Sequence, residues 1–266
     1  MTIDPRDALI ACAIKYQGRW EDIYNSVSRR EEFTAEEVRR LLSSLHCKAV
    51  AFNDPEYPIE IKMRCFRPPL ALFYRGDLSV LKDPYRILTV VGSRDATEYG
   101  MRKVRELCKG AAEAGFIIAS GLAKGIDTAA LEAAADYPGR AIAILGNGVD
   151  YYYPGENKDL QKKIASTGLV MSEYPDKVPP EPRHFPFRNR MLACISQTTL
   201  VGEAHKTSGT LITVAYAIKY NRDIGAIPFR SDDETANNRL IKSGAAMVEN
   251  LEDLMLLLSH STLRFK

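Results

Sequence analysis

The chain has 266 residues, of which 45% are hydrophobic and 26% are charged, and its formal net charge is +2. These values fit a globular protein with a substantial buried core. The low net charge excludes a polybasic tail, so nucleic-acid binding would have to depend on local clusters of cations. The sequence has no apolar run of membrane-spanning length and does not begin with a signal peptide. We therefore expect a cytoplasmic protein with no membrane partner.

The five cysteines and four histidines are dispersed along the chain, and no CxxC pair occurs. Scattered cysteines among apolar residues are typical of core positions in a reducing compartment. We expect neither disulfides nor a metal site.

Residues 1–47 predict a small helical segment. Ile10 and Ile14 have helical spacing, and Thr34 with Glu37 forms a capping box ahead of a third amphipathic stretch. This segment is too short for a well-stabilised independent domain. We expect a helical cap on the main part of the chain, residues 48–266, in which residues 49–52 and 70–74 predict edge strands.

From residue 85 onward, short apolar runs alternate with helical patterns. Strands are predicted over residues 87–91, 116–119, 141–145, 169–172, 199–203 and 224–228, and a helix is predicted over 188–195 after a proline-rich loop. Continuous apolar strands that alternate with helices indicate a parallel sheet covered on both faces. The predicted fold class is α/β, with a doubly wound, mostly parallel sheet.

The turn between the second of these strands and the next helix is a candidate anion site. Ser120, Gly121 and Gly125 lead into the helix, whose free N–H groups and dipole favour a phosphate, and Lys124 adds a positive charge. A plain tight connection between strand and helix explains the same residues equally well.

Small polar residues also follow other strands: Gly92-Ser93-Arg94, Gly146-Asn147-Gly148, Ser172-Glu173, Glu203 and Ser208-Gly209-Thr210. Ligands of open α/β sheets bind beyond the carboxyl ends of the strands, so this convergence indicates a phosphate-rich ligand. The P-loop and dinucleotide signatures are absent. Glu173 and Glu203 could form a catalytic pair, or they could cap neighbouring backbone.

The stretch from residue 183 to 190 combines arginines with aromatic residues. Arg188, Asn189 and Arg190 follow Phe185 and Phe187, and such residues can hold phosphates and stack on unpaired bases. The alternative is that the arginines join loops through carbonyl groups and through Glu173 or Glu203. Phe185 taken alone favours a core position.

The order of these motifs resembles the DprA/Smf family of DNA-processing proteins over about residues 49–250. The motifs that carry the resemblance are Val91-Gly92-Ser93-Arg94, Ser120-Gly121-Leu122-Ala123-Lys124-Gly125-Ile126-Asp127, Tyr153-Pro154 with Asn157, Ser172-Glu173, Phe185-Pro186-Phe187-Arg188-Asn189-Arg190, Glu203-Ala204 and Ser208-Gly209-Thr210-Leu211-Ile212-Thr213.

The resemblance implies an extended Rossmann-like domain, preceded by a reduced SAM-like segment, that binds single-stranded DNA without catalysis or cofactor. It also implies a homodimer and assistance to RecA loading in natural transformation. The implied DNA-binding residues are Gly92, Ser93, Arg94, Ser120, Gly121, Lys124, Gly125, Asn157, Phe187, Arg188, Asn189, Arg190, Ser208, Gly209 and Thr210, with Arg188 and Arg190 either touching the strand or supporting the pocket.

Three positions depart from the family pattern. Ala130 stands where histidine is common, Gly155 where lysine is common, and Phe229 where a glycine follows the strand-end proline. Two other hypotheses remain open. One is a nucleotide-handling enzyme resembling the LOG phosphoribohydrolases, although a carboxylate is missing after Ser208-Gly209-Thr210-Leu211. The other is a divergent family member that serves as an interaction scaffold.

Overall fold

The computed structural model describes residues 3–206, 208–233 and 235–263, with side chains to residue 260. The strands are β1 (Lys48–Ala51), β2 (Ala71–Gly76), β3 (Ile87–Val91), β4 (Ile117–Ser120), β5 (Ala141–Leu145), β6 (Leu169–Ser172), β7 (Thr198–Val201), β8 (Asp223–Ala226) and β9 (Ala246–Met247). The α-helices are α1 (Pro5–Lys15), α2 (Trp20–Ser28), α3 (Ala35–Ser43), α4 (Ile59–Arg64), α5 (Glu98–Glu113), α6 (Ile126–Ala135), α7 (Lys158–Thr167), α8 (His184–Cys194), α9 (Thr210–Lys219), α10 (Asn237–Lys242) and α11 (Leu251–Leu263). Short 3-10 turns occupy Leu78–Leu81, Pro84–Arg86 and Gly155–Asn157.

The strands form one sheet in the order β1-β2-β6-β5-β4-β3-β7-β8-β9. β1, β2 and β6 pair antiparallel, and every pair from β6 to β9 is parallel. The predicted α/β class with a mostly parallel sheet is confirmed. The chain proceeds from β3 toward β6 and then returns to place β7 on the other side of β3, so the topological switch point lies between β3 and β7.

Each face of the sheet has its own core. Alternate side chains of β3 divide between the faces: Leu88 and Val90 pack with α5, α6, α7 and α11, whereas Ile87 and Val91 pack with α4, α8, α9 and α10. A doubly wound sheet with helices on both faces is the result.

The N-terminal helices pack on the antiparallel edge of the sheet. Ile10 and Ile23 join Ala51, Ala71 and Phe73 in a separate small core. The predicted capping box is present, because the Glu37 N–H donates to Thr34 Oγ1 at 3.2 Å and the Thr34 N–H donates to Glu37 Oε2 at 2.8 Å.

Two local features differ from the sequence prediction. α8 begins at His184, four residues before the predicted Arg188, since Pro186 falls in the first turn, where a missing N–H costs no helical hydrogen bond. α4 follows Pro58 in a stretch for which the sequence predicts no helix or strand. Among the described helices, none has both the length and the apolar character needed to cross a membrane.

Candidate nucleic-acid interface

A groove of about 780 Å³ lies at the switch point, beyond the carboxyl ends of β3 and β7. It is lined by the loop after β3, the start of α8 and the start of α9. The site residues predicted from the sequence that line it are Gly92, Ser93, Arg94, Arg188, Asn189, Ser208, Gly209 and Thr210. Residues from three separate motifs therefore share one groove, at the place where α/β sheets bind their ligands.

The loop after β3 presents an exposed guanidinium to this groove. The Ser93 N–H donates to the Glu203 carbonyl at 2.7 Å, and Ser93 Oγ accepts from the Asp95 N–H at 3.2 Å. Gly92 leaves no room for a side chain, because an added Cβ would lie 2.5 Å from Ile126 Cβ. The loop is thus fixed on both sides of Arg94, whose side chain is exposed and lies 5.3 Å from the centre of the Phe185 ring.

Arg188 supports the floor of the groove. Its buried guanidinium donates to the carbonyls of Gly121 and Ile144. Gly121 leaves room for this guanidinium, because an added Cβ would lie 2.4 Å from Arg188 Nη2 and would displace it. Burial lowers the pKa of Arg188 to about 10, so the group remains a cation at neutral pH. The neighbouring Asn189 joins α8 to α9 through a hydrogen bond to the Gly209 carbonyl at 3.3 Å.

Arg190 points away from the groove and is fully buried. It forms a bidentate pair with Glu173, with both N–O distances at 2.7 Å, and donates to the carbonyls of Phe66, Arg67 and Phe187. Burial alone would lower the pKa of Arg190, but the Glu173 carboxylate raises it above its ordinary value. These partners match the interpretation in which an arginine joins loops through carbonyls and Glu173.

The turn between β4 and α6 is occupied by the protein's own carboxylate. Asp127, in the first turn of α6, accepts from the Ala123 N–H at 3.3 Å, and burial raises the pKa of its carboxyl. Gly125 adopts φ +73° against the Ser93 carbonyl, and Ser120 donates to the Val90 carbonyl at 2.7 Å. This turn braces the groove, because its side chains and an N–H already have internal partners.

A smaller pocket of about 50 Å³ continues the groove and shares Arg94, Ala123, Tyr153 and Phe185 with it. Gly121 and Lys124 line this pocket. Lys124 pairs with Glu156 at 2.7 Å, and both side chains are more than half exposed. A surface pair of this kind is weak and exchanges readily with solvent.

Five predicted site residues do not line either pocket: Ser120, Gly125, Asn157, Phe187 and Arg190. Asn157 is buried and donates to the Leu122 carbonyl at 3.0 Å and to Thr128 Oγ1 at 2.8 Å. The Phe187 ring lies 3.6 Å from the Arg190 guanidinium. These residues support the walls of the groove through internal contacts and do not line it.

The groove also contains residues that sequence reasoning missed or assigned elsewhere. Phe185, for which the sequence favoured a core position, is half-buried in the groove wall, and the Tyr153 ring lies 5.7 Å from it. His205 and Asp127 line the same groove. The Tyr153-Pro154 motif indicates from the sequence that this tyrosine belongs to the site, whereas nothing in the sequence around His205 indicates a site residue.

The two strand-end carboxylates serve as backbone and ion-pair partners. Glu203 Oε2 accepts from the Thr97 N–H at 2.9 Å and from the Thr97 hydroxyl at 2.8 Å. Glu173 is held by Arg190. The structure therefore supports the capping interpretation for Glu203 and an ion-pair role for Glu173.

Comparison with known proteins gives the family. Residues 48–259 match the family model described as DNA recombination-mediator protein A. The chain is 40% identical over 204 residues to the DNA processing protein DprA of Streptococcus pneumoniae, which covers 76% of this chain and 71% of that protein. It is 39% identical over 207 residues to protein Smf of Synechocystis, covering 76% of this chain and 52%, about half, of the relative's length.

Two solved structures share the fold over most of this chain. The crystal structure of DprA from Streptococcus pneumoniae has a TM-score of 0.79 at 31% identity and covers 96% of this chain and 98% of its own. DNA processing protein A from Helicobacter pylori, a protein described as having a unique single-stranded DNA binding mode, has a TM-score of 0.71 at 26% identity, with 81% and 97% covered. The chain is a member of the DNA recombination-mediator protein A family.

Proposed function

We propose that this chain binds single-stranded DNA in the groove at the β3–β7 switch point, as a DprA-type protein that protects incoming strands. The observation that carries the proposal is the exposed Arg94 guanidinium beside the Phe185 and Tyr153 rings. A cation can hold a phosphate there, and the neighbouring rings offer faces for unpaired bases. The single-stranded DNA binding described for the Helicobacter pylori relative supports the same assignment.

The proposed role is non-catalytic. Glu203 and Glu173 are held by internal partners, and the helix start at Thr210-Leu211-Ile212-Thr213 lacks the carboxylate of the LOG phosphoribohydrolase pattern. We expect no free base after incubation with nucleoside monophosphates. Release of base that disappears in the Glu203→Gln variant would favour the enzyme hypothesis instead.

The binding test is a titration of labelled oligo-dT and of a matched duplex across a range of salt concentrations. We expect preference for the single strand and weaker binding as salt rises, because phosphate contacts release counterions. Equal affinity for the duplex, or no binding at low salt, would overturn the proposal.

The same proposal includes a homodimer, transfer of the strand to RecA and a cytoplasmic location. The free thiols of all five cysteines are compatible with a reducing compartment. Sedimentation of the chain with and without oligo-dT tests the dimer, and co-sedimentation with RecA on single-stranded DNA tests the transfer. A chain that stays monomeric at every concentration would remove the dimer from the proposal and leave the groove assignment intact.

A further inference from the structure

A run of aromatic rings leads out of the groove along α9. Ile212, near the start of this helix, lines the groove and is 38% exposed. Tyr216 follows one turn later and stacks on Tyr220, with ring centres 5.9 Å apart. Ile212, Tyr216 and Lys219 have the i, i+4, i+7 spacing of one helix face, and the 1.5 Å rise per residue separates the first from the last by about 10 Å.

The far end of α9 contacts the loop between α4 and β2, and this loop in turn contacts the N-terminal helix α2. The Phe66 N–H donates to the Tyr220 hydroxyl at 2.9 Å, and Lys219 Nζ lies 4.4 Å from the centre of the Phe66 ring. The Phe66 side chain is 42% exposed. An exposed ring and a cation therefore lie side by side on the surface at this point.

From Phe66 the run continues onto α2. The Arg67 guanidinium lies 5.4 Å from the Phe66 ring and 5.1 Å from the Trp20 ring. Trp20 in turn stacks on Tyr24, with centres 4.9 Å apart and planes 11° apart, and Tyr24 is 50% exposed. We name the set Tyr216, Lys219, Tyr220, Phe66, Arg67, Trp20 and Tyr24 the aromatic track.

The loop at the centre of the track is held in a strained conformation. Arg67 adopts φ +49°, a region that a residue with a side chain rarely enters. Arg190 fixes it by donating to the carbonyls of Phe66 and Arg67, and Trp20 Nε1 donates to the Pro68 carbonyl at 2.8 Å. Strain of this kind persists only where the surroundings enforce it. α8, which carries Arg190, also carries Arg188 and Asn189 at the groove, so one helix contacts both the groove and the loop at the centre of the track.

We propose that the aromatic track is a second stretch of the same binding surface, over which a single DNA strand continues after it leaves the groove. This inference rests on the proposed function. Exposed rings interleaved with cations are the chemistry that holds unpaired bases and their phosphates without sequence preference. Arg67 now pairs with Glu21, an ion pair exposed on both sides, and a phosphate can replace such a weakly held partner.

The test compares two lengths of oligo-dT, one of about 6 nucleotides and one of about 20, within and beyond the site sizes of single-strand binding folds. The double variant Phe66→Ala with Tyr24→Ala removes the two most exposed rings of the track. The matched control is Tyr137→Ala, which removes a half-buried ring outside the aromatic track that donates to Glu113 at the end of α5.

We expect the double variant to bind the long oligonucleotide about 5- to 150-fold more weakly for each stack that is lost. Its affinity for the short oligonucleotide should equal that of the wild type and of the control. Trp20 is the single tryptophan of the chain, so the long oligonucleotide, unlike the short one, should also change its fluorescence.

Equal weakening for both lengths would overturn the inference, because it would mean that the loop only supports the groove through Arg190. Unchanged binding of the long oligonucleotide with unchanged Trp20 fluorescence would overturn it too, and would leave the proposed function intact. Failure of the wild-type chain to bind either length would reject the proposed function and this extension together.

Discussion

Replacement of Arg94 by alanine gives the most direct test of the groove. Arg94 is exposed, lies 5.3 Å from the Phe185 ring centre, and has no carboxylate within ion-pair distance among the described residues. Its guanidinium is therefore available to a phosphate without displacing a partner. A hydrogen bond to a charged group contributes about 1.5–3 kcal/mol, so Arg94→Ala should weaken binding of oligo-dT about 10- to 150-fold.

The salt dependence of binding distinguishes a lost phosphate contact from a general disturbance. The slope of log K against log salt should become shallower by about 0.7 for each single-strand phosphate contact removed. Fluorescence anisotropy at several salt concentrations measures both quantities, and urea unfolding should give the wild-type midpoint because the side chain is exposed. Arg105→Ala is the control, since Arg105 is a half-exposed arginine on α5 that pairs with Glu132 at 3.5 Å. If Arg94→Ala retains the affinity and slope of this control, the assignment of the groove is refuted.

Three further substitutions probe the charge, the acid–base chemistry and the framework around the groove. Gly155→Lys should tighten oligo-dT binding and steepen the salt slope by about 0.7, because an added Cβ there meets nothing within 4 Å; unchanged isotherms would contradict this. Burial raises the pKa of Asp127, so the native state binds that proton more tightly and wild-type stability falls as pH rises through this pKa. The urea midpoint of Asp127→Asn should therefore be higher than that of the wild type at about pH 8, and the two midpoints should be similar at about pH 4. A difference between the midpoints that does not change with pH would argue against the burial effect. Arg190→Leu should lower the free energy of unfolding by about 3–5 kcal/mol by stranding Glu173, and Glu173→Leu added to it should restore much of the loss; no recovery in the double variant would show that the carbonyl partners matter more than the ion pair.

The sequence predicted the sheet well because its strands are continuous apolar runs. β3 and β5 are buried at every position, so their bounds follow from hydrophobicity alone and match the prediction. α4 has six residues between prolines, too few to show a periodic pattern. Its helical state depends on packing Ile61 into the core beside α8, a tertiary contact that the local sequence does not carry.

The site was harder to predict because a polar side chain at a strand end can serve a ligand or the chain itself. Asn157 bonds the Leu122 carbonyl, 35 residues away, and that partner is defined only in the folded state. The predicted helix over 188–195 already contains Arg188 and Arg190, and two residues apart on a helix means roughly 200° apart around its axis. The two side chains must therefore face different sides, but the local sequence does not say which of them faces a ligand. The packing of α8 decides this, because it places Arg188 in the groove floor and Arg190 against Phe66.

The same distinction between groove and framework decides what the three departures from the family pattern mean. Ala130 lies on α6 and is fully buried in the core that α5 and α6 form with the sheet, so a different side chain there acts on packing before it acts on DNA. Phe229 packs edge-to-face on Tyr99, with ring centres 5.2 Å apart. Its ring therefore contributes to hydrophobic packing beyond the carboxyl end of β8. Gly155 directly follows Pro154 of the smaller pocket and is exposed. A lysine placed at this position would add one cation to the rim beside the Lys124–Glu156 pair. Of the three departures, Gly155 is thus the one at which a substitution to lysine should change the affinity for a single strand. Ala130 and Phe229 are both held in hydrophobic contacts.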